Sequence, residues 1–198
     1  MLKLIGSLSC IWLLMAISTM AQVQPPVLDT AGQPLRSGVE YYILPAATDT
    51  AGGLTLLSRN RSCPSFVGQE PLTPVVSQGL PVVFTPYATG ETIVRESSSF
   101  IVKFSAASTC VKSTEWSLTA RDPARSRRNI VTGRGAYFMI TKRSNLYYLA
   151  FCPADICNTC RFDCGTAGIT IENGKRFLTL DGPVFPFRFR RAQVAISM

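Results

Sequence analysis

Short apolar runs separated by turn residues constrain the fold of this chain more than any other feature. After residue 21, no stretch places apolar side chains at helical spacing over three turns without also containing Gly or Pro. Runs rich in Val, Ile, Phe, Tyr and Thr recur instead, and most of the 13 Pro and 14 Gly residues fall between them. About twelve such runs at even spacing predict an all-β sandwich or barrel. They cover residues 26–29, 39–44, 54–57, 81–84, 92–96, 100–106, 115–119, 136–142, 146–152, 168–172, 176–180 and 185–190.

Two local patterns refine this prediction. Asn173-Gly174 lies between two alternating runs, which is the strongest short-range signal for a β-hairpin. The run at 185–190 alternates Phe with Arg, so one face can enter the core while the other remains in water. The chain shows no internal repeat, no low-complexity tract and no linker. We therefore expect residues 22–198 to form a single domain.

The first 21 residues have the features of a secretory signal peptide. Lys3 precedes an almost wholly apolar run at 4–17, and the small residues Thr19 and Ala21 stand two positions apart before an expected cleavage after Ala21. A membrane anchor is the alternative, but the run is shorter than the ~20 residues that span a bilayer. We expect a protein secreted to the cell exterior or delivered to the vacuole, with no membrane span in its mature form.

The charged and titratable residues narrow the possible activities. The chain contains no histidine, which excludes Ser-His-Asp and Cys-His catalytic arrangements and every His-ligated metal site. Its 12 carboxylates form no recognisable catalytic constellation, and its glycines follow no phosphate-loop spacing. We predict a protein that is not an enzyme and has no cofactor. The formal net charge of +8 favours anionic partners in general.

Six cysteines remain once Cys10 leaves with the signal peptide. An even number in a secreted chain predicts three disulfides, although six cysteines allow 15 pairings. The last four follow a C-x4-C-x2-C-x3-C pattern that also partly matches zinc and iron–sulfur sites. An exported chain meets an oxidising environment, which favours disulfides over a metal site. We expect the pairs Cys157–Cys160 inside Cys152–Cys164, with Cys63–Cys110 as the third.

Two further surface features are suggested by the sequence. Asn60 begins an acceptor sequence for N-glycosylation and should therefore lie on the surface. The segment 120–135, called the arginine segment below, carries five arginines and one acid, and its turn residues predict a loop. That loop is either simply solvated, a contact for a polyanion or glycan, or a site of proteolytic processing between Arg127 and Arg128. No aromatic residues alternate with the arginines, so specific nucleic-acid binding is not expected. The candidate polyanion residues are Arg121, Arg125, Arg127, Arg128 and Arg134.

The order of motifs along nearly the whole mature chain resembles the soybean-type Kunitz inhibitors of plants, in their miraculin-like branch. The matching stretches are VLDTAGQPLRSGVEYYIL at 27–44, CP at 63–64, KFSAASTCVKSTEWSL at 103–118, LAFCP at 149–153 and CNTCRFDCGTAGITIENGKRFLTL at 157–180. The resemblance implies a β-trefoil of twelve strands with pseudo-threefold symmetry, and the disulfide pairing given above. The chain departs from the family at Ala31 and in the shortened arginine segment.

The resemblance also implies where a protease would bind. Family members present an exposed, extended loop whose P1 side chain, the one before the bond that a protease would cut, fills the protease's specificity pocket. The corresponding residues are Thr85, Pro86, Tyr87, Ala88, Thr89 and Gly90, with Ala88 at P1. Members directed at trypsin carry Arg or Lys there, so strong trypsin inhibition is not expected.

Two neighbouring residues point to altered or weakened inhibition. Ser37 stands where the family has an Asn that supports the loop from inside, and a hydroxyl offers fewer hydrogen bonds than an amide. Gly90 is expected to add flexibility, and hence an ordering cost on binding. Ala88 suits elastase-like or subtilisin-like pockets, whereas a shift of one residue would present Tyr87 to chymotrypsin.

We therefore predict a secreted inhibitor of serine proteases with a role in plant defence and with specificity other than for trypsin. One alternative is a non-inhibitory interaction or storage protein that binds a receptor, a glycan or another polyanion. The other alternative is an inhibitor of cysteine proteases that acts through a different loop.

Overall fold

The computed structural model describes residues 23–48, 50–60, 63, 65–106 and 110–193. The expected signal peptide, residues 1–21, lies outside the described residues. Within these ranges, no helix is long and apolar enough to cross a membrane.

The described residues form an all-β structure of twelve strands, as predicted. The strands are β1 (Glu40–Pro45), β2 (Leu54–Leu57), β3 (Phe66–Gln69), β4 (Val82–Pro86), β5 (Phe100–Phe104), β6 (Glu115–Leu118), β7 (Arg128–Gly133), β8 (Met139–Arg143), β9 (Leu146–Phe151), β10 (Gly165–Glu172), β11 (Lys175–Leu180) and β12 (Phe187–Arg191).

The strand pairing has threefold pseudosymmetry. Strands β1, β4, β5, β8, β9 and β12 pair in a ring, which closes where Phe100 of β5 bridges to Phe138 just before β8. The other six strands form the hairpins β2–β3, β6–β7 and β10–β11. Strands β3, β7 and β11 also pair with one another, which joins the three hairpins. A six-stranded barrel with three joined hairpins is the predicted β-trefoil, which is thereby confirmed.

Aromatic side chains fill the barrel. The ring of Phe84 contacts those of Phe100 and Phe189 edge-on, at centroid distances of 5.2 and 5.9 Å, and that of Tyr41 at 6.1 Å. All four side chains are almost completely buried. Each comes from a different barrel strand. Alternate residues of a strand face the same side, so each of these strands can direct an aromatic side chain into the barrel. The barrel thus gives β4 a fixed position, and the segments before and after β4 start from a rigid base.

Two predicted strands are wrong, and two strands were missed. Residues 26–29 and 92–96 make only isolated β-bridges, one of which, between Pro26 and Arg95, joins the two stretches. The missed strands are β3, which contains Gly68, and β7, which begins with Arg128 and Asn129. A Cβ on Gly68 would lie 2.3 Å from Leu57 and 2.6 Å from the Arg176 carbonyl, so close approach of three strands requires this strand-weakening residue. The loop predicted at 120–135 accordingly ends at Arg127.

Candidate functional site

The segment that follows β4 leaves the barrel and is exposed. Thr85 and Pro86 are the last residues of β4 and still pair with Ile101 and Phe100. The next four residues, 87–90, are all exposed, and Tyr87 retains 45% of its accessible surface. The predicted site therefore consists of two residues at the strand end and four residues of loop. We refer to these six residues as loop 85–90.

The backbone of loop 85–90 is held at Tyr87. The Tyr87 N–H donates to the Ser99 carbonyl at 2.9 Å. Ser99, which is only 3% exposed, donates its own N–H to Asp155 at 2.8 Å, and its hydroxyl donates to the other oxygen of the same carboxylate. Asp155 lies in the segment that the Cys152–Cys164 disulfide closes. A second, covalently closed loop thus supports loop 85–90 from below.

A tight turn forms the other half of the loop. The Glu91 N–H donates to the Ala88 carbonyl at 3.1 Å, and Gly90 has φ +79°. Gly90 occupies the position at which a type II turn needs a positive φ. The glycine is thus a requirement of the turn, whereas the sequence suggested only added flexibility. The backbone after Ala88 is turned, not extended as the resemblance implied.

Glu91 fixes the exit from the turn. Its carboxylate accepts the N–H groups of Thr92 and Ile93 at 3.0 and 2.9 Å and the Arg95 Nε at 2.7 Å. The hydrogen bond from Arg95 and the two from backbone N–H groups lower the pKa of Glu91 below its usual value. Arg95 also donates to the Gln24 carbonyl at 3.0 Å. The exit is therefore tied to the N-terminal segment.

Ser37 lies beside the exit and does not reach the loop itself. Its backbone N–H donates to the Thr92 carbonyl at 2.8 Å. Among the described residues, its hydroxyl makes no hydrogen bond to loop 85–90. The supporting side chains are instead those of Ser99, Asp155 and Glu91, which sequence reasoning missed. Asp155 is 56 residues from Ser99, and no sequence spacing indicates that the two meet.

The side chains of the loop present a small uncharged surface. Tyr87 packs edge-on against Tyr137, with ring centroids 5.2 Å apart. Ala88 lies over a cavity of about 110 Å³, which Pro86, Ile93 and Asp155 also line. The charged groups beside the loop are held by other residues, Glu91 by Arg95 and Asp155 by Ser99. What this site offers a partner is backbone and small apolar surface.

The arginine segment is different, because four of its five arginines are paired with acids. Arg121 lies 2.6 Å from Asp163 and 3.1 Å from Asp181, and Arg125 lies 3.0 Å from Asp122. The hydrogen bond from Arg121 holds the pKa of Asp163 below its usual value. The fifth, Arg134, is exposed just after β7.

Arg127 and Arg128, the other two paired arginines, have less exposed side chains than Arg121 and Arg125. Arg128 is 7% exposed in its side chain and donates twice to Asp181, at 2.9 and 3.1 Å. Arg127 lies 3.7 Å from Glu172. These contacts join the β6–β7 hairpin to the β10–β11 hairpin. The arginine segment, for which the sequence left a solvated loop, a polyanion contact or a processing site open, thus serves in part to hold the hairpins together.

The cysteines and the glycosylation sequence complete the predicted sites. The structure contains the disulfides Cys63–Cys110, Cys152–Cys164 and Cys157–Cys160. Asn60 is exposed, with φ +54°, while the next two residues of its acceptor sequence lie outside the described ranges. In the part of the chain that the structure describes, no group of three or more His, Cys, Asp or Glu side chains could hold a metal ion.

A family model and a curated relative both match this chain over most of its length. The family model for legume-type Kunitz proteins, described as trypsin and protease inhibitors, matches residues 27–191. Kunitz type trypsin inhibitor 111 of Medicago truncatula is 39% identical over 196 residues, which cover 93% of this chain and 94% of the relative.

Solved structures of inhibitors named as Kunitz-type or α-amylase/subtilisin inhibitors are also similar to this chain. The bifunctional α-amylase/subtilisin inhibitor of rice, Oryza sativa, superposes with a TM-score of 0.70 at 32% identity, over 86% of this chain and all of that one. A Kunitz-type cysteine protease inhibitor from potato superposes with a TM-score of 0.71 at 29% identity, over 87% of this chain and all of its own.

Proposed function

The chain belongs to the Kunitz family of plant trypsin and protease inhibitors, which are not enzymes, and from this premise we propose that it inhibits serine proteases other than trypsin through loop 85–90. Ala88 is the P1 residue in this proposal, and Thr89 follows the bond that the protease would cut. Proteases with small apolar specificity pockets, such as elastase and subtilisin, are the expected targets.

The observation that carries the proposal is the exposed Ala88 between two fixed backbone points. Tyr87 is hydrogen-bonded to Ser99 on one side, and the Glu91 carboxylate holds residues 92 and 93 on the other. A loop that is already ordered loses little conformational entropy on binding. The methyl group of Ala88 fits a small pocket, but it offers no charge to the acidic pocket of trypsin.

The turn after Ala88 favours moderate rather than tight inhibition. In a complex, the P1 carbonyl oxygen enters the oxyanion hole of the protease. The Ala88 carbonyl must therefore first release the Glu91 N–H. Losing such a hydrogen bond costs about 0.5–1.5 kcal/mol, which the new contacts with the protease have to offset.

We also propose secretion and a defence role. Residues 1–21 would direct the chain to the secretory pathway, and three disulfides suit the oxidising conditions there. Asn60 is exposed and would be accessible to glycosylation. An inhibitor of elastase-like or subtilisin-like enzymes would act on digestive or microbial proteases that attack the plant.

A panel of inhibition constants tests the proposal. The secreted protein should inhibit elastase or subtilisin reversibly, and Ala88→Arg should improve trypsin inhibition by about two orders of magnitude, since a charged P1 anchor is worth several kcal/mol. Leu146→Arg adds the same charge at an exposed position of β9 and should leave trypsin inhibition unchanged. Failure of the wild type against all serine proteases, together with no gain in Ala88→Arg, rejects the proposal.

The same panel separates the alternatives. Inhibition of papain that Ala88→Arg does not alter would indicate a cysteine-protease inhibitor that acts through another loop; the potato relative is named a cysteine protease inhibitor. Inhibition of no enzyme would indicate a non-inhibitory protein. The polyanion alternative has little support in the structure, because the arginine segment is largely paired with acids.

A further inference from the structure

We propose that residues 71–77, the loop before β4, form a second protease-binding loop, so that one molecule can bind two proteases with small apolar specificity pockets. This loop, called loop 71–77 below, is separate from loop 85–90. The inference rests on the proposed function, because it assigns the same kind of partner to a second site.

Loop 71–77 carries a concentration of exposed apolar side chains. Leu72, Val75 and Val76 keep 56, 86 and 47% of their accessible surface, so Val75 is more exposed than Tyr87. No charged residue occurs between Glu70 and β4. Clustered apolar side chains on a surface usually mark an interaction site, whereas single ones need no explanation.

The base of the loop is fixed on two glycines. The Gly52 N–H donates to the Glu70 carbonyl at 3.0 Å, and the Gly53 N–H donates to the Ser77 carbonyl at 2.9 Å. A Cβ on Gly52 would lie 2.4 Å from the Ser77 oxygen, and one on Gly53 would lie 1.9 Å from the Gln78 oxygen. Such close approach requires glycine at both positions. Both ends of the loop are therefore held on one short segment.

The loop between these ends is stiff. Pro71 and Pro74 fix two of its φ angles. The Thr73 hydroxyl donates to the Val75 carbonyl at 2.6 Å, across the bend. A loop so restricted before binding pays less entropy when it is bound. Stiffness and exposure together are what a substrate-like loop requires.

The sequence of the loop repeats that of the first site. Thr73-Pro74-Val75-Val76-Ser77 and Thr85-Pro86-Tyr87-Ala88-Thr89 share the order Thr, Pro, any residue, a small apolar residue and a hydroxyl. A glycine with positive φ follows each stretch, Gly90 at +79° directly after Thr89 and Gly79 at +74° one residue further on, after Gln78. Val76 thus occupies the position of Ala88. A valine side chain fits the same class of small apolar pocket and is rejected by the charged pocket of trypsin.

The positions of the two loops allow both to be occupied. Residues 78–84 lie between them, and the three of these that belong to β4 span about 10 Å at the usual rise per residue. The loops leave opposite ends of this strand. Two proteases would therefore approach the inhibitor from different directions.

Titration of elastase with active-site-calibrated inhibitor tests the inference. The wild type should bind two elastase molecules, seen as a stoichiometry of two and as a ternary complex by light scattering. Ala88→Asp and the double variant Val75→Asp/Val76→Asp should each reduce the stoichiometry to one, and the combined variant should inhibit at least about tenfold more weakly, because each exchange places an unpaired charge in an apolar pocket. Ile171→Asp, at an apolar position that is 63% exposed elsewhere, should change nothing.

The outcomes distinguish the two sites. If Ala88→Asp loses all inhibition while the double variant inhibits as the wild type does, the second site is overturned and the proposed function stands. The reverse pattern supports loop 71–77 and overturns the assignment of Ala88. A wild type that binds a single elastase, with inhibition unaffected in the double variant, or inhibition that neither change affects, rejects the second site. Thermal melts of each variant check that these exposed substitutions leave the fold intact.

Discussion

Loop 85–90 and the arginine segment look alike in sequence, as polar connections between strands, but the structure uses them in opposite ways. The loop has no charged residue and remains exposed, while its backbone is held by Ser99 and Glu91. The arginine segment is rich in charge, yet four of its arginines face Asp or Glu side chains. Arg128 is almost fully buried.

This difference shows that charge along a chain does not measure what a surface offers to a partner. A guanidinium with a carboxylate partner would have to exchange that partner to bind a polyanion. An uncharged loop on a fixed backbone has no such internal competitor, apart from the turn bond at Ala88. Substitutions in the arginine segment should therefore change stability, and those in the loop should change inhibition.

Arg128→Ala should produce the largest effect. Removing one partner of a buried ion pair costs about 3–5 kcal/mol when the other is left without compensation, and Asp181 would keep only the more exposed Arg121, so we expect a loss near the lower end of that range. Denaturant unfolding measures this loss. Arg134→Ala is the matched control and should stay within about 0.5 kcal/mol of the wild type, since it is exposed. Equal, small losses for the two variants would show that the arginine segment is only a solvated surface.

Asp155→Ala should weaken inhibition as well as stability. It leaves the N–H and hydroxyl of the buried Ser99 without an acceptor, at a cost of about 1–3 kcal/mol, and loosens the support of Tyr87. Asp155→Asn, which keeps one acceptor oxygen, should recover part of both losses. Asp122→Ala removes an acid from the arginine segment and should leave the inhibition constant unchanged. If Asp155→Ala alters stability alone, this residue does not position the loop.

Gly90→Ala should show how the stability of the turn affects the inhibition constant, because the substitution leaves the exposed side chains of the loop unchanged. A Cβ there meets no atom within 4 Å, so the only penalty is its positive φ, about 1 kcal/mol. Because binding requires the Ala88 carbonyl to leave this turn, destabilising it should tighten inhibition by up to roughly fivefold. Weaker inhibition by Gly90→Ala would mean that the turn persists in the complex.

The smallest expected effect is that of pH on the loop exit. The pKa of Glu91 is lower in the folded protein than in the unfolded chain, so its stabilisation is complete above the unfolded pKa and is lost as pH falls through the folded one. The protection of the Thr92 and Ile93 amides, measured as the exchange rate relative to the intrinsic rate at the same pH, should fall on acidification through that range. Glu91→Gln should remove this dependence, and protection that falls equally in both proteins would exclude Glu91 as its source.

Sequence reasoning reached the fold further than the site. Alternation and turn residues located ten of the twelve strands, and β3 and β7 were missed because Gly68, Arg128 and Asn129 are unfavourable in isolation and only tertiary packing explains them. The position of loop 85–90 followed from the resemblance. Its support by Asp155 could not be predicted, because that contact depends on where the Cys152–Cys164 segment folds.

Identification of the bond that a target protease hydrolyses tests the central claim most directly. A substrate-like inhibitor is cut slowly at its reactive bond, so prolonged incubation with a catalytic amount of elastase should yield a chain with a new amino terminus at Thr89, detected by mass spectrometry after reduction. Ala88→Arg incubated with trypsin should give the same terminus. Inhibition without any cleavage at Ala88–Thr89, or with a terminus at Ala88 instead, would contradict the assignment of Ala88 as the residue that enters the protease.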